Sequence, residues 1–305
     1  MLNIVDLLKK LNIKFKQTGN QVNYNFDKIL PSDCATNSSL VFFSTPKEKD
    51  IEDIYGTEAN IILVEKRWGE KNSNELKGIN KCIILVNNPR LVIAKLLNLI
   101  YPEDEIFREK RHHTADIHPE AVIHHSVIIG RNCVIGKCEI GADSKVMDFS
   151  TIKDNVKISH SVIIREYCLV GGTGFGFAKD NNDHFRIQHI GGVVIEEDVE
   201  IFPYTNIDSG TLTATIIGKG TKIDHYCHIG HNCIIGENNI VTAGVITAGG
   251  SKIGDNCWIG VGSIIKEKIV IGDNVILGFN SVVLNDVPSD TVFAGVPAKY
   301  LRNKD

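Results

Sequence analysis

The most regular feature of the chain is a row of aliphatic positions spaced six apart. From Ile217 the count runs through Ile223, Ile229, Ile235, Val241, Thr247, Ile253, Ile259, Ile265, Ile271 and Leu277 to Val283, and only Thr247 is not Ile, Leu or Val. Several are followed directly by Gly, as in Ile229-Gly230 and Ile271-Gly272, and small residues such as Cys227, Cys233, Ser251, Cys257 and Ser281 fall four places after the aliphatic. A period of six fits neither a helix nor a strand alternation, so the repeat describes a unit larger than one element. It predicts a parallel β-helix, with each hexad a short strand and turn, and three hexads one triangular coil of roughly 18 residues. The aliphatic points inward, and the Gly after it is expected to permit the corner. A single coil cannot bury its own apolar row, so the pattern has to run on.

The same rhythm starts earlier, at Ile117, Ile123, Ile129 and Ile135, drops one residue before Ile140, and resumes through Val146, Ile152, Ile158, Ile164 and Val170. A β-helix over 112–288 follows, with a short cap over 289–305. Two breaks interrupt it. The first, over 171–194, reads GGTGFGFAKDNNDHFRIQHIGGVV and is too polar and Gly-rich for a coil, so it should leave the helix as a loop. Phe175 and Phe177, held among glycines, make it a candidate binding loop, because ligand contacts collect on loops of rigid scaffolds; a tolerated insertion is the alternative. The second break separates Ile207 from Ile217 over Asp208-Ser209-Gly210-Thr211-Leu212.

Residues 1–105 lack the hexad. Asn3 to Leu11 has the helical spacing Ile4, Leu7, Leu8, Leu11. Leu40 to Phe43, Ala59 to Val64 and Cys82 to Val86 read as buried strands, and Pro89 to Ile100 as a helix after Asn87-Asn88. Strands alternating with helices predict a small α/β domain, joined to the repeat by a charged linker over Tyr101 to Arg111.

Composition adds limits. With 33 basic and 37 acidic residues interspersed, and a formal charge of -4, nothing favours a nucleic-acid partner. No apolar run reaches the length of a membrane span and Met1-Leu2-Asn3-Ile4 does not open a signal peptide, so a cytoplasmic location is expected. Five of the 8 cysteines (Cys133, Cys168, Cys227, Cys233, Cys257) occupy the small-residue place of a hexad, which favours packing over metal or redox chemistry. His112, His113, His118, His124 and His125 fall at changing phases of the repeat, which favours surface histidines over a metal site.

Candidate chemistry lies in Asp224-His225-Tyr226-Cys227-His228-Ile229-Gly230-His231-Asn232. His231 is two places past the inward Ile229, and one coil further on its neighbour is Gly249, within Ala248-Gly249-Gly250. An imidazole beside bare backbone suits acyl transfer, in which His takes a proton from an attacking amine or hydroxyl while a backbone N–H holds the oxyanion. The alternative is a surface histidine on a non-catalytic solenoid scaffold.

The hexads resemble those of the left-handed β-helix acyltransferases, and the handedness is part of that resemblance. The order of a small α/β domain, a β-helix interrupted by Gly174-Phe175-Gly176-Phe177-Ala178, Asn206-Ile207-Asp208, Ile223-Asp224 and His231-Asn232 is similar to the UDP-3-O-acylglucosamine N-acyltransferases of lipid A biosynthesis. The resemblance implies a homotrimer and no bound cofactor. His231 would be the general base, Asp224 its support and Gly249 the oxyanion donor. Phe42, Phe175, Phe177 and Asn232 would bind a nucleotide-linked amino sugar. Three departures stand out. The family's uracil pattern is reduced to Phe42 in Phe42-Phe43-Ser44-Thr45-Pro46-Lys47-Glu48, and a second family histidine is replaced by Lys268. The helices that meet acyl carrier protein give way to Gly295-Val296-Pro297-Ala298-Lys299, which resembles the ending of acetyl-CoA-dependent transferases. The expected activity is N-acyl transfer to a nucleotide-linked amino sugar, with acetyl or another short acyl-CoA as co-substrate over acyl carrier protein. Ala248, Gly250, Lys268, Gly295, Pro297, Ala298 and Lys299 would receive the donor. An O-acetyltransferase differs only in its acceptor.

Overall fold

A computed structural model describes residues 1–20, 23–43, 50–102 and 109–304. The chain divides into two compact units, Met1–Ile106 and Phe107–Asp305. In the first, a five-stranded sheet runs in the order Lys16–Thr18, Cys82–Val86, Ile61–Glu65, Ser39–Phe43, Lys28–Ile29, parallel except at the Lys16–Thr18 edge. Its central strands are buried apolar runs, as strands covered on both faces must be. Asn3 caps helix Ile4–Lys10 by accepting from the N–H groups of Val5 and Asp6. Asn88 caps helix Pro89–Ile100, whose first residue is the proline that position favours. Ser44 to Glu48, where the uracil pattern departs, and 103–108 of the linker lie outside the described residues.

The second unit is a parallel β-helix of three sheets with ten, nine and eight strands. Each hexad contributes a strand of two to four residues, and each inward row is one buried column: Ile229, Thr247, Ile265 and Val283 are neighbours on one face, all 0–1% exposed. Thr247 fits this column because its hydroxyl meets the Cys233 thiol at 3.4 Å. The hexad cysteines are buried, and their thiols donate to carbonyls of the next coil, as Cys227 does to Thr242. Burial pushes the Cys227 and Cys257 thiols up to about 11.

The corners differ from the expectation. The residue in the left-handed region comes three places after the inward aliphatic, as at Tyr226, Asn232, Asn238, Gly244 and Gly250, with φ from 54° to 73°. Asn and Gly suit that conformation best. The glycine directly after the aliphatic has another purpose: a Cβ on Gly230 would lie 2.7 Å from the Thr247 carbonyl oxygen and 2.9 Å from the Gly249 nitrogen. It lets the next coil stack closely.

Both breaks leave the three sheets intact. Val156 pairs with Val193 and Leu169 with Asn206 across the first, and Val193 with Thr215 across the second. The first excursion is not an irregular loop but an antiparallel hairpin, Phe177–Asp180 against Asp183–Arg186, with every strand residue exposed. The cap is also a hairpin. Thr291–Ala294 extends the ten-stranded sheet beside Ile276–Leu277 and turns into Lys299–Asn303.

Candidate active site

His231 follows the strand His228–Ile229 on the nine-stranded sheet. Its Nδ1 lies 3.0 Å from the side-chain oxygen of Asn232. The orientation of that amide is fixed: its oxygen also accepts from the Thr211 N–H and hydroxyl at 3.0 and 2.9 Å, while its nitrogen donates to the Thr213 carbonyl at 2.9 Å. An amide oxygen only accepts, so Nδ1 carries the proton and Nε2 presents its lone pair. The second break, Thr211 to Thr213, therefore reaches back to set the tautomer of His231 through Asn232.

The lone pair faces backbone. A Cβ added to Gly249 would stand 2.5 Å from His231 Nε2 and 2.6 Å from Cε1, so the imidazole lies directly against that glycine. The Gly250 N–H donates to the His231 carbonyl and the Lys268 N–H to the Gly249 carbonyl, each continuing the ladder between coils. The Gly249 N–H donates to no group among the described residues. Lys268, exposed and with φ 61°, stacks over Gly250 on the same corner.

Two assignments need correction. Asp224 follows a strand of the ten-stranded sheet, at a different corner from His231, and its carboxylate binds His225, with Oδ1 2.6 Å from Nδ1 and 2.8 Å from the backbone N–H. Burial works against the charge of Asp224, but the hydrogen bonds from His225 prevail and hold the carboxyl below its ordinary value. It does not orient His231 within this chain; Asn232 does. Asn232 in turn is not free for substrate, because its amide is occupied by His231, Thr211 and Thr213.

His189, at the return of the hairpin, escaped the reading of the sequence. Its ring meets that of His231 edge-on, with centroids 4.9 Å apart and an interplanar angle of 63°. Gly174 and Gly176 give it room, since a Cβ on Gly174 would lie 2.7 Å from His189 Nε2 and 2.9 Å from His231 Cβ. Phe175 is 86% exposed and meets Phe177 edge-on at 5.1 Å, and Arg186 covers the Phe177 ring at 5.0 Å. The two phenylalanines are thus exposed on the hairpin, and the glycines that alternate with them, Gly174 and Gly176, lie against the histidine. Below this corner, on the outer side of the nine-stranded sheet, Asn206 donates to Asp208 at 2.8 Å and pairs with His228 at 3.0 Å, and His228 Nε2 faces the buried Asp208 carboxylate at 3.8 Å. Phe42 lies in the first unit, at the end of strand Ser39–Phe43, and is partly exposed. His112 and His124 place Nδ1 against the Thr114 and Ser126 hydroxyls.

Repeat, corner and imidazole together define a hexapeptide transferase, and the model of the bacterial transferase hexapeptide family (six repeats) matches residues 214–249 and 250–285. The UDP-3-O-acylglucosamine N-acyltransferase of Anaeromyxobacter dehalogenans strain 2CP-1 is 31% identical over 259 residues, covering 75% of this chain and 69% of that protein. The UDP-3-O-acylglucosamine N-acyltransferase 1 of Francisella tularensis subsp. holarctica is 33% identical over 209 residues, and the match covers 60% of this chain but only 58% of that relative's length. Among solved structures, the UDP-N-acetylglucosamine O-acyltransferase of Moraxella catarrhalis aligns with a TM-score of 0.58 at 27% identity, over 63% of this chain and 74% of that one. The acyltransferase of Francisella novicida gives the same score and identity over 63% and 69%. The chain belongs to the UDP-3-O-acylglucosamine N-acyltransferase family.

Proposed function

We infer that this protein transfers an acyl group from a thioester to the amine of a UDP-linked amino sugar. The observation that carries the reading is the pairing of a bare Nε2 lone pair on His231 with the unbonded N–H of Gly249 beside it. As the amine attacks the thioester carbonyl, His231 Nε2 takes its proton and the Gly249 N–H stabilises the oxyanion. The attack forms the C–N bond; collapse of the tetrahedral intermediate re-forms the carbonyl, breaks the C–S bond, and passes the proton from the imidazolium to the departing thiolate.

For the donor, a short acyl-CoA, foremost acetyl-CoA, is the preferred reading. Gly295 to Ala298 is laid along the final coil by hydrogen bonds from the Val282 N–H to the Gly295 carbonyl at 3.0 Å and from the Ala298 N–H to the Val282 carbonyl at 2.8 Å. It continues the outer face on which His228, Ile246, Ile264 and Val282 follow one another. Four strand spacings separate it from His228, roughly 19 Å, a span suited to an extended pantetheine arm. Family membership favours the second reading, an acyl carrier protein donor and a UDP-3-O-acylglucosamine acceptor as in lipid A synthesis. In either case the assembly is read as a homotrimer, which light scattering tests.

The deciding experiment supplies UDP-amino sugars with acetyl-CoA, longer acyl-CoAs and acyl carrier protein, and measures thiol release. Turnover with one pair is expected to fall roughly 10²- to 10⁴-fold in His231→Ala. No turnover with any pair would establish a binding scaffold instead.

A further inference from the structure

The corner that follows the ten-stranded sheet carries an aromatic stack. Phe149, Tyr167, Tyr204 and Tyr226 stand on successive coils, each three places after an inward residue. Their rings are parallel to within 3–4°, with centroids 5.0, 5.0 and 5.2 Å apart. All four have φ between 59° and 63°, in the left-handed region where a bulky side chain is an outlier. Such outliers gather at sites that hold ligands.

The stack then stops. The next two coils place Gly244 and Gly262 at this position, both with φ 71°. A Cβ on Gly244 would meet nothing nearer than the Gly262 Cα at 3.9 Å, so a side-chain-free slot opens over the last ring. Tyr226 is accordingly the most exposed of the four, at 64%. Rings tethered to the coils are held at the coil repeat, whereas a ligand ring can close on Tyr226 to van der Waals contact, roughly 3.5 Å. Beside Tyr226 stands His225, with ring centroids 6.2 Å apart. The Asp224 carboxylate, 2.6 Å from His225 Nδ1, only accepts, so Nδ1 holds the proton and the neutral ring presents a lone pair at Nε2.

We propose that Tyr226, Gly244 and His225 form a nucleobase site, in which the base stacks on Tyr226 as a fifth ring over Gly244 and donates an N–H to His225 Nε2. This rests on the nucleotide-linked substrates of the reading above. Uracil offers its N3–H and adenine its amino group, so the base belongs to the UDP-sugar or to acyl-CoA. Five residues separate Tyr226 from His231, a span of at most roughly 18 Å, and the rest of either substrate can run from the slot towards the catalytic corner.

Calorimetric titration of the full-length protein with UDP and with ADP tests the site. Tyr226→Ala should weaken at least one of them roughly 10- to 100-fold, the loss of one stacking contact, while Tyr226→Phe keeps the ring and should stay within about twofold. Gly244→Asn fills the slot with a residue that left-handed corners accept, as at Asn232 and Asn238, and should weaken the same nucleotide without lowering the unfolding midpoint. His225→Ala should cost roughly 3- to 10-fold. Loss of UDP binding assigns the slot to the acceptor, and loss of ADP binding assigns it to the donor. Unchanged affinity for both nucleotides in Tyr226→Ala and Gly244→Asn would overturn the proposal, as would a wild type that binds neither. A Tyr226→Ala protein that binds both normally but changes its oligomeric state would overturn it too, by making the stack a contact between copies. Wild-type thiol release with a UDP-amino sugar would leave the acyl-transfer reading standing in each of these cases, whereas absence of release with every pair would refute that reading itself.

Discussion

Gly249→Ala isolates the geometry on which the chemistry depends. The glycine is not in the left-handed region, so alanine imposes no backbone penalty there. Its methyl carbon, however, would be 2.5 Å from His231 Nε2, 2.6 Å from Cε1 and 3.0 Å from Cδ2, where ordinary contact begins at 3.4 Å. The imidazole must therefore retreat by about 0.9 Å or swing away from Asn232, whose amide oxygen now holds Nδ1 at 3.0 Å. Either movement displaces the lone pair from the place where the amine and thioester meet, and a methyl group occupies that place. A misplacement of this size costs about 10²-fold through lost alignment, and up to about 10⁴-fold if the base no longer reaches the proton. Thiol release at saturating donor should fall by that factor while the unfolding midpoint changes little, because the substitution leaves in place the backbone hydrogen bonds between coils, including that from the Lys268 N–H to the Gly249 carbonyl. Combining the change with His231→Ala should add almost nothing, since both act on the same proton transfer. Activity within about twofold of wild type would contradict the placement of His231 Nε2 against Gly249, and so would a loss that adds fully to that of His231→Ala.

Asn232→Ala should lower kcat roughly 10- to 100-fold by releasing the tautomer of His231, whereas Asp224→Asn should leave kcat within about twofold; the opposite ranking in steady-state assays would restore Asp224 as the orienting group. Of the 8 thiols, only the exposed Cys34 should react with a disulfide reagent in the native protein at neutral pH, and all 8 in denaturant. The Cys227 thiol, raised by burial from 9.0 to about 11, adds stability that is fully present below pH 9 and is lost as pH rises towards 11, so chemical denaturation midpoints should decline across that window. Lys299→Ala should raise KM for acetyl-CoA by a few-fold, up to about 10-fold, with kcat unchanged; an unaltered KM would remove Gly295 to Lys299 from the donor site.

Much of this was readable in the sequence because a solenoid converts spacing into position. Counting sixes located the inward column, and counting eighteen from His231 reached Gly249, which does lie against its ring. Apolar spacing and the Asn88-Pro89 start marked two helices of the first unit, Ile4–Lys10 and Pro89–Ile100, while Lys66–Lys71 and Ser73–Lys77 went unread. The failures share a cause: they concern side chains that act across corners, where spacing carries no sign of direction. Asp224 is seven residues from His231 yet follows a different face, so nearness along the chain was misleading. Asn232 looked free because its partners Thr211 and Thr213 lie in a break, where the count had been lost. His189 was hidden for the same reason, since Gly174 and Gly176, which lie against its ring, stand at the other end of the insert in the sequence.

Keeping the coil phase through the breaks reveals why they belong together. Val170, Ile207, Ile229, Thr247 and Ile265 occupy one column of the nine-stranded sheet. The segments that follow them are the hairpin carrying His189, the turn carrying Thr211, His231 itself, Gly249, and the approach to Lys268. Five successive coils thus deliver their departures from the repeat to a single corner. A corner is the place where a solenoid can accept them, because the ladders along the faces commit strand N–H groups to neighbouring coils, whereas the Gly249 N–H donates to no group among the described residues. A free backbone donor, a histidine with a fixed tautomer and a second histidine at the return of an exposed hairpin can coexist there without disturbing the buried column beneath. A catalytic corner also accounts for Gly230 and Gly249 in successive coils: the first admits the close approach of the second, and the second admits His231.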